Sequence, residues 1–100
     1  MGLDISITIN NEPEFNFNGR SVFGPLKDYM IEKYNYEYGT DMKINKTIIK
    51  DMIQFLMNQC FTDDDTYVAD WRMSHVNALM KCYVTLNEEP KSIITWECDW

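Results

Sequence analysis

Both ends of this chain alternate between apolar and polar residues with a period of two. The first such segment runs from Leu3 to Ile9, and the second runs from Ile94 to Trp100. This alternation is typical of a β-strand with one buried face and one solvated face. We therefore expect both ends to lie in a sheet, and the middle of the chain must supply the elements that cover the apolar face.

The segment after the first strand predicts a turn and a hairpin. Residues 10–14 have the composition of a turn, and the Asn18-Gly19 pair that follows tolerates the positive φ angles of a type I′ turn. Two short strands are expected around this pair, within residues 15–23.

Three helices are predicted between the hairpin and the last strand. The first opens at Gly24-Pro25, because proline suits the first helical position, and Gly39 is expected as the residue just beyond its C-terminal end. Asn45 is a good N-cap for the second helix. The third runs from about Thr66 to Tyr83 and is apolar on two faces.

The predicted fold class is α+β. A small antiparallel sheet includes both terminal strands as neighbours and is packed on one face against about three helices. At 100 residues with 45% hydrophobic content, the chain is expected to form a single domain over residues 1–100.

The charge balance restricts the classes of partner. Sixteen acidic against nine basic residues give a net charge of −7, which disfavours direct binding to nucleic acid or to an anionic membrane. It favours a partner protein with a basic surface, although the same charge also simply keeps a small protein soluble. No secretory signal or transmembrane segment is recognisable, so a cytoplasmic location is expected, and Cys60, Cys82 and Cys98 are interpreted as reduced core thiols.

The most acidic surface predicted from the sequence is the run Asp63-Asp64-Asp65 together with Asp70. A calcium loop beginning at Asp63 would need glycine and glutamate where Val68 and Ser74 stand. The run is better interpreted as a cap on the third helix, where its negative charge meets the positive end of the helix dipole.

No catalytic, metal-binding or cofactor-binding pattern stands out. His75 is the single histidine, and no second ligand lies one helical turn away, so it is interpreted as a structural residue. The protein is accordingly expected not to be an enzyme and to need no cofactor or metal. Tyr36, Glu37 and Tyr38 follow the end of the first helix's apolar stripe and are predicted to form an exposed aromatic patch suited to a protein partner.

The opening residues Met1 to Ile5 read MGLDI, and the closing strand ends on Trp100. This combination resembles small bacteriophage-encoded proteins of unknown function that begin MGLD and end on an aromatic-rich strand. The resemblance implies the cytoplasm of a host cell and a role in managing the host. Small acidic phage proteins commonly inhibit host or defence enzymes, and anti-CRISPR and anti-restriction proteins are among them.

The leading hypothesis is a non-enzymatic protein that binds a basic host or defence protein. Its predicted contact residues are Asp63, Asp64, Asp65, Asp70, Tyr36, Glu37 and Tyr38. One alternative is a small-molecule or nucleotide-binding module that uses the polar sheet face or a cleft. Another is a self-associating structural protein, a homodimer formed through the two broad-faced helices.

Overall fold

A computed structural model describes residues 3–18, 23–62 and 66–99. Within these ranges there are four strands and three helices: β1 (Asp4–Ile9), β2 (Glu12–Phe17), α1 (Gly24–Tyr34), β3 (Asp41–Lys43), α2 (Lys46–Thr62), α3 (Thr66–Glu88) and β4 (Ile94–Asp99). The predicted α+β class is confirmed. The chain divides into two compact units, one holding the four strands with α1 and the other holding α2 and α3. The single domain stays a prediction.

The four strands form one antiparallel sheet in the order β2-β1-β4-β3. The predicted pairing of the first and last strands is confirmed, with register from Asp4 opposite Asp99 to Ile9 opposite Ile94. Side chains alternate as the period of two requires, so Ile5 and Trp96 are buried while their strand neighbours are at least partly exposed. The expected burial of Trp96 and Cys98 is confirmed, whereas Trp100 lies outside the described residues.

The first hairpin turns at Asn10 and Asn11, within the segment predicted as a turn, whereas the hairpin predicted at Asn18-Gly19 falls mainly on residues that the structure does not describe. Asn10 and Asn11 have φ angles of 54° and 68°, as a type I′ turn requires, and β2 returns along β1. Pro13, which suggested a turn, is tolerated because β2 is an edge strand. Residues 19–22 lie outside the described residues, and Phe23 adjoins α1 rather than ending a strand.

The turn is also tied to the start of β4. The Asn10 backbone N–H donates to the Ile93 carbonyl over 2.7 Å, and the Asn10 side-chain oxygen accepts the Ile93 N–H over 2.9 Å. These two bonds extend the β1–β4 pairing by one position and satisfy backbone groups of both Asn10 and Ile93.

α1 begins at Gly24 as predicted but ends at Tyr34, five residues before Gly39. Asn35 takes the left-handed conformation (φ 55°) that ends the helix, because asparagine tolerates this conformation better than most residues. Gly39 does have positive φ, but it lies in the loop that leads to β3. α1 buries Leu26 and Met30.

α2 and α3 pack against each other in the second unit. The predicted cap on α2 is confirmed, because the Asn45 side-chain oxygen accepts the Ile48 N–H over 2.8 Å. α3 runs five residues beyond its predicted end at Tyr83, since nothing in the sequence opposes a helix until Pro90. None of the described helices is long and apolar enough to cross a membrane.

Candidate functional site

One end of the sheet collects carboxylates on its open face. Asp41 lies opposite Glu97 in the β3–β4 pair, and Asp4 lies opposite Asp99 in the β1–β4 pair. Glu97 and Asp99 are two residues apart on β4 and therefore share a face. We refer to Asp4, Asp41, Glu97 and Asp99 as the acidic sheet end.

The rest of the open face is largely uncharged. The hydroxyls of Thr8 and Thr95 hydrogen-bond across the β1–β4 pair, and the Asn16 side-chain amide donates to the Ser6 hydroxyl over 3.4 Å. Lys43 lies two residues along β3 from Asp41 and is exposed. Negative charge is therefore concentrated at one end of the face rather than spread over it.

The crowding of carboxylates perturbs Glu97. Burial, a hydrogen bond with Asp41 and the charges of Asp41 and Asp99 raise the pKa of the Glu97 carboxyl above its ordinary value. The Glu97 carboxyl therefore retains its proton to a higher pH than a lone glutamate does. The register of the strands fixes this arrangement, because each acid is anchored on a paired strand.

The loop of residues 35–40 borders the acidic sheet end. The Gly39 N–H donates to the Cys98 carbonyl over 3.0 Å, and the Thr40 N–H and hydroxyl both donate to the Glu37 carbonyl, over 3.1 and 2.6 Å. Glu37 is exposed, and a shallow groove of about 220 Å³ is lined in part by Glu37, Thr40 and Asp41. Glu37 thus adds a fifth carboxylate near the same end of the sheet.

Tyr36 is buried, and its predicted exposure is wrong. Its side chain is 5% exposed, and its ring packs edge-on against Trp96 with centroids 5.0 Å apart. Its hydroxyl accepts the Cys98 N–H over 2.7 Å and lies 2.8 Å from the Thr40 carbonyl, to which it donates. β3 pairs with β4 only as far as Glu97, so the Tyr36 hydroxyl takes the place of a further strand residue at Cys98.

Tyr38 is half-buried at the same edge. Partial burial and nearby negative groups, among them Asp99 and Asp4, raise the pKa of its hydroxyl. The Lys27 ammonium lies 5.6 Å from the centre of the Tyr38 ring and 3.3 Å from the Asp28 carboxylate. Tyr38 is therefore close both to the acidic sheet end and to Lys27 in the first turn of α1.

Four predicted contact residues remain, and the structure describes one of them. Asp70 is exposed on α3, in the second unit. Asp63, Asp64 and Asp65 lie outside the described residues. The acidic sheet end was missed by the sequence analysis, although the polar positions of the two terminal strands already carried Asp4, Glu97 and Asp99 as a signal.

The single histidine and two of the three cysteines are buried, whereas Cys60, which was predicted to be a core thiol, is only partly buried. His75 is fully buried, and burial lowers its pKa to about 3, so the ring is neutral at physiological pH. All three cysteines are free; Cys82 and Cys98 are buried, and burial raises the pKa of the Cys98 thiol to about 11. Among the described residues, no group of three or more candidate ligands could hold a metal ion.

The Tyr36 hydroxyl can be removed without changing the ring. Tyr36→Phe should lower the free energy of unfolding by about 1–3 kcal/mol, because the Cys98 N–H loses its acceptor in a buried setting. Urea denaturation would measure the change. The control is Tyr29→Phe, whose hydroxyl accepts a bond from Lys33 in an exposed position and whose loss should cost less than about 0.5 kcal/mol. Equal effects of the two substitutions would contradict the role given to Tyr36.

The acid pair should leave a signature in the pH dependence of stability. Because its pKa is raised on folding, Glu97 opposes folding when ionised, and this penalty fades as the pH falls through the raised pKa. Glu97→Gln should therefore raise the free energy of unfolding at pH 7 by about 0.5 kcal/mol. The gain should shrink as the pH approaches 4.5, the ordinary value for glutamate.

Urea titrations at several pH values would test this expectation. The contribution of His75 is present in both proteins and cancels in the difference. Glu14→Gln, on the exposed edge strand β2, removes one charge away from the acidic sheet end and should show no such pH-dependent gain. A gain that stays constant or grows on acidification would contradict the crowding of Glu97.

No protein-family model, no curated protein and no solved structure matches this chain.

Proposed function

We propose that the protein is a non-enzymatic interaction protein that binds a basic surface of a host or defence protein through the acidic sheet end. The supporting observation is the placement of Asp41 opposite Glu97 and of Asp4 opposite Asp99 at one end of an open sheet face. Burial and the neighbouring carboxylates raise the pKa of Glu97, and a lysine or arginine from a partner would stabilise its ionised form. Binding would therefore relieve an unfavourable interaction among carboxylates that exists in the free protein.

The site is built for recognition by charge and shape together. Glu37 adds charge from the loop, and the half-buried Tyr38 adds an aromatic surface beside Asp99. Strand pairing and the Tyr36 bonds to Cys98 and Thr40 hold these groups in place, so little ordering is required on binding. Such surfaces chiefly increase the association rate and the specificity of a complex.

In this proposal the protein is encoded by a bacteriophage and acts in the cytoplasm of the host cell. A partner that itself binds nucleic acid, such as a nuclease of an anti-phage system, carries the basic surface that the acidic sheet end would cover. Inhibition by occupying such a surface needs no catalytic group. The charge here is confined to one end of the sheet, so we propose mixed acidic and aromatic recognition rather than mimicry of a whole nucleic-acid strand.

A nucleotide-binding function is less well supported at this place. The groove beside the loop measures about 220 Å³, below the usual range for small-molecule sites, and Glu37 and Asp41 in its wall would repel a phosphate. The acidic sheet end thus favours a cationic ligand over an anionic one.

Paired charge removal tests the proposed function. Asp41→Asn combined with Glu97→Gln removes two charges from the acidic sheet end, and Glu12→Gln combined with Glu14→Gln removes two from the exposed strand β2 as a matched control. Each protein would be immobilised and exposed to bacterial host lysate, and retained proteins would be quantified by isotope ratio. Basic proteins should be retained by the wild type and by the control. The variant with Asp41→Asn and Glu97→Gln should retain at least fivefold less of them. The same retention on all three proteins would contradict the proposal.

A further inference from the structure

A groove of different character lies between α2 and α3. It has a volume of about 290 Å³ and is lined by Ile53, Met80, Tyr83 and Val84, with Lys50 at its edge. A second depression of about 420 Å³ on α3 shares Met80 and Val84 and adds Lys81 and Thr85. The two depressions therefore form one continuous surface along α3, and its centre is apolar. We refer to it as the α2–α3 groove.

The apolar side chains at the centre of this groove are exposed to water. Met80 is 53% exposed and Val84 is 51% exposed, and they lie one helical turn apart on α3. Adjacent exposed apolar side chains that form a concave surface are typical of an interaction site. Methionine is well suited to such a position, because its unbranched side chain adapts to the shape of a partner.

The margin of the groove is basic, in a protein whose net charge is −7. Lys50 and Lys81 line the two depressions. Lys46 lies 5.8 Å from the centre of the Tyr83 ring, and its ammonium donates to the Asn87 side chain over 2.8 Å. Three of the nine basic residues of the chain thus border this one groove. On α3, the acidic residue that follows Val84 is Glu88, one helical turn further along.

We propose that the α2–α3 groove binds an acidic amphipathic helix of a partner protein. The apolar side chains of that helix, spaced i, i+3, i+4 and i+7, would cover Met80, Val84 and Ile53, as in other helix-in-groove complexes. Asp or Glu residues flanking the apolar stripe would pair with Lys50 and Lys81. This surface is separate from the acidic sheet end and does not depend on the function proposed for it.

Charge complementarity selects this occupant over a second copy of the chain. A two-fold symmetric dimer would bring the basic margins of two identical grooves into one interface, which like charge disfavours. A nucleic acid is also disfavoured, because Met80, Val84 and Ile53 offer no hydrogen bonds to phosphates. An apolar helix with acidic flanks satisfies both the centre and the margin of the groove.

A series of designed peptides tests the proposal. Three fluorescently labelled 16-residue amphipathic helices would share the same leucine stripe and carry Glu, Gln or Lys at the flanking positions. Fluorescence anisotropy with the full-length protein should give the tightest binding for the Glu peptide and the weakest for the Lys peptide, about tenfold apart. Binding of the Glu peptide should also weaken as the salt concentration rises.

Variants of exposed residues assign the binding to the groove. Met80→Gln and Lys50→Glu should each lower the affinity for the Glu peptide at least fivefold. The controls are Ile31→Gln, at an exposed apolar residue on α1, and Lys91→Glu, at an exposed lysine after α3; neither should change binding by more than twofold. All four substitutions are at exposed positions, and a thermal melt of each variant confirms that it is folded.

Three outcomes would overturn the proposal. The first is the absence of saturable binding by any of the three peptides, and the second is equal binding of the Glu and Lys peptides. The third is a wild-type dimer in sedimentation velocity that Met80→Gln converts to a monomer, because a second copy would then occupy the groove.

Discussion

The pairing of β4 on both of its edges is the constraint on which the first unit depends. β1 pairs with β4 over its whole length, but β3 covers only Thr95 to Glu97. Beyond Glu97 the loop completes the edge, because Gly39 donates to the Cys98 carbonyl and the Tyr36 hydroxyl accepts the Cys98 N–H. One side chain and one loop amide therefore supply the hydrogen bonds to Cys98 that a longer β3 would otherwise make.

The same pairing creates the site. Since β4 lies between β1 and β3, its acidic residues face acids on both neighbours, Asp4 on one side and Asp41 on the other. Like charges placed opposite each other weaken a sheet, so an arrangement of this kind is stabilised by the apolar face beneath, where Trp96 and Ile5 are fully buried. The protein holds its negative charges together at a cost to its stability, and the proposed partner would recover that cost on binding.

The sequence predicted the parts of the fold that depend on strong local patterns. Alternation identified both terminal strands, and the Asn45 side chain marked the start of α2. The sequence did not predict β3, because a three-residue strand is too short to show a period. The end of α1 was missed for a related reason: Asn35 ended the helix by adopting a left-handed conformation, which asparagine tolerates but does not require.

The candidate site was predictable in part. If the two terminal strands are antiparallel neighbours and begin and end at the same level, Asp4 must lie near Asp99. This part of the site could therefore be predicted from the sequence. The contribution of Asp41 could not be foreseen without β3. Tyr36 and Tyr38 look alike in the sequence, and only the fold of the loop decides that Tyr36 is buried against Trp96 while Tyr38 lies half-exposed near Asp99.

The described residues thus form two surfaces, the acidic sheet end and the α2–α3 groove. The first suits a basic partner, and the second suits an acidic one. The acidic sheet end carries the central claim, and the ionisation of Glu97 tests it most directly. Carbon-detected NMR titration of the side-chain carboxyl groups would give the pKa of Glu97 in the folded protein. The account predicts a pKa above 4.5 that falls towards that value in Asp41→Asn. A Glu97 that titrates at or below 4.5, unaffected by the loss of the Asp41 charge, would contradict it.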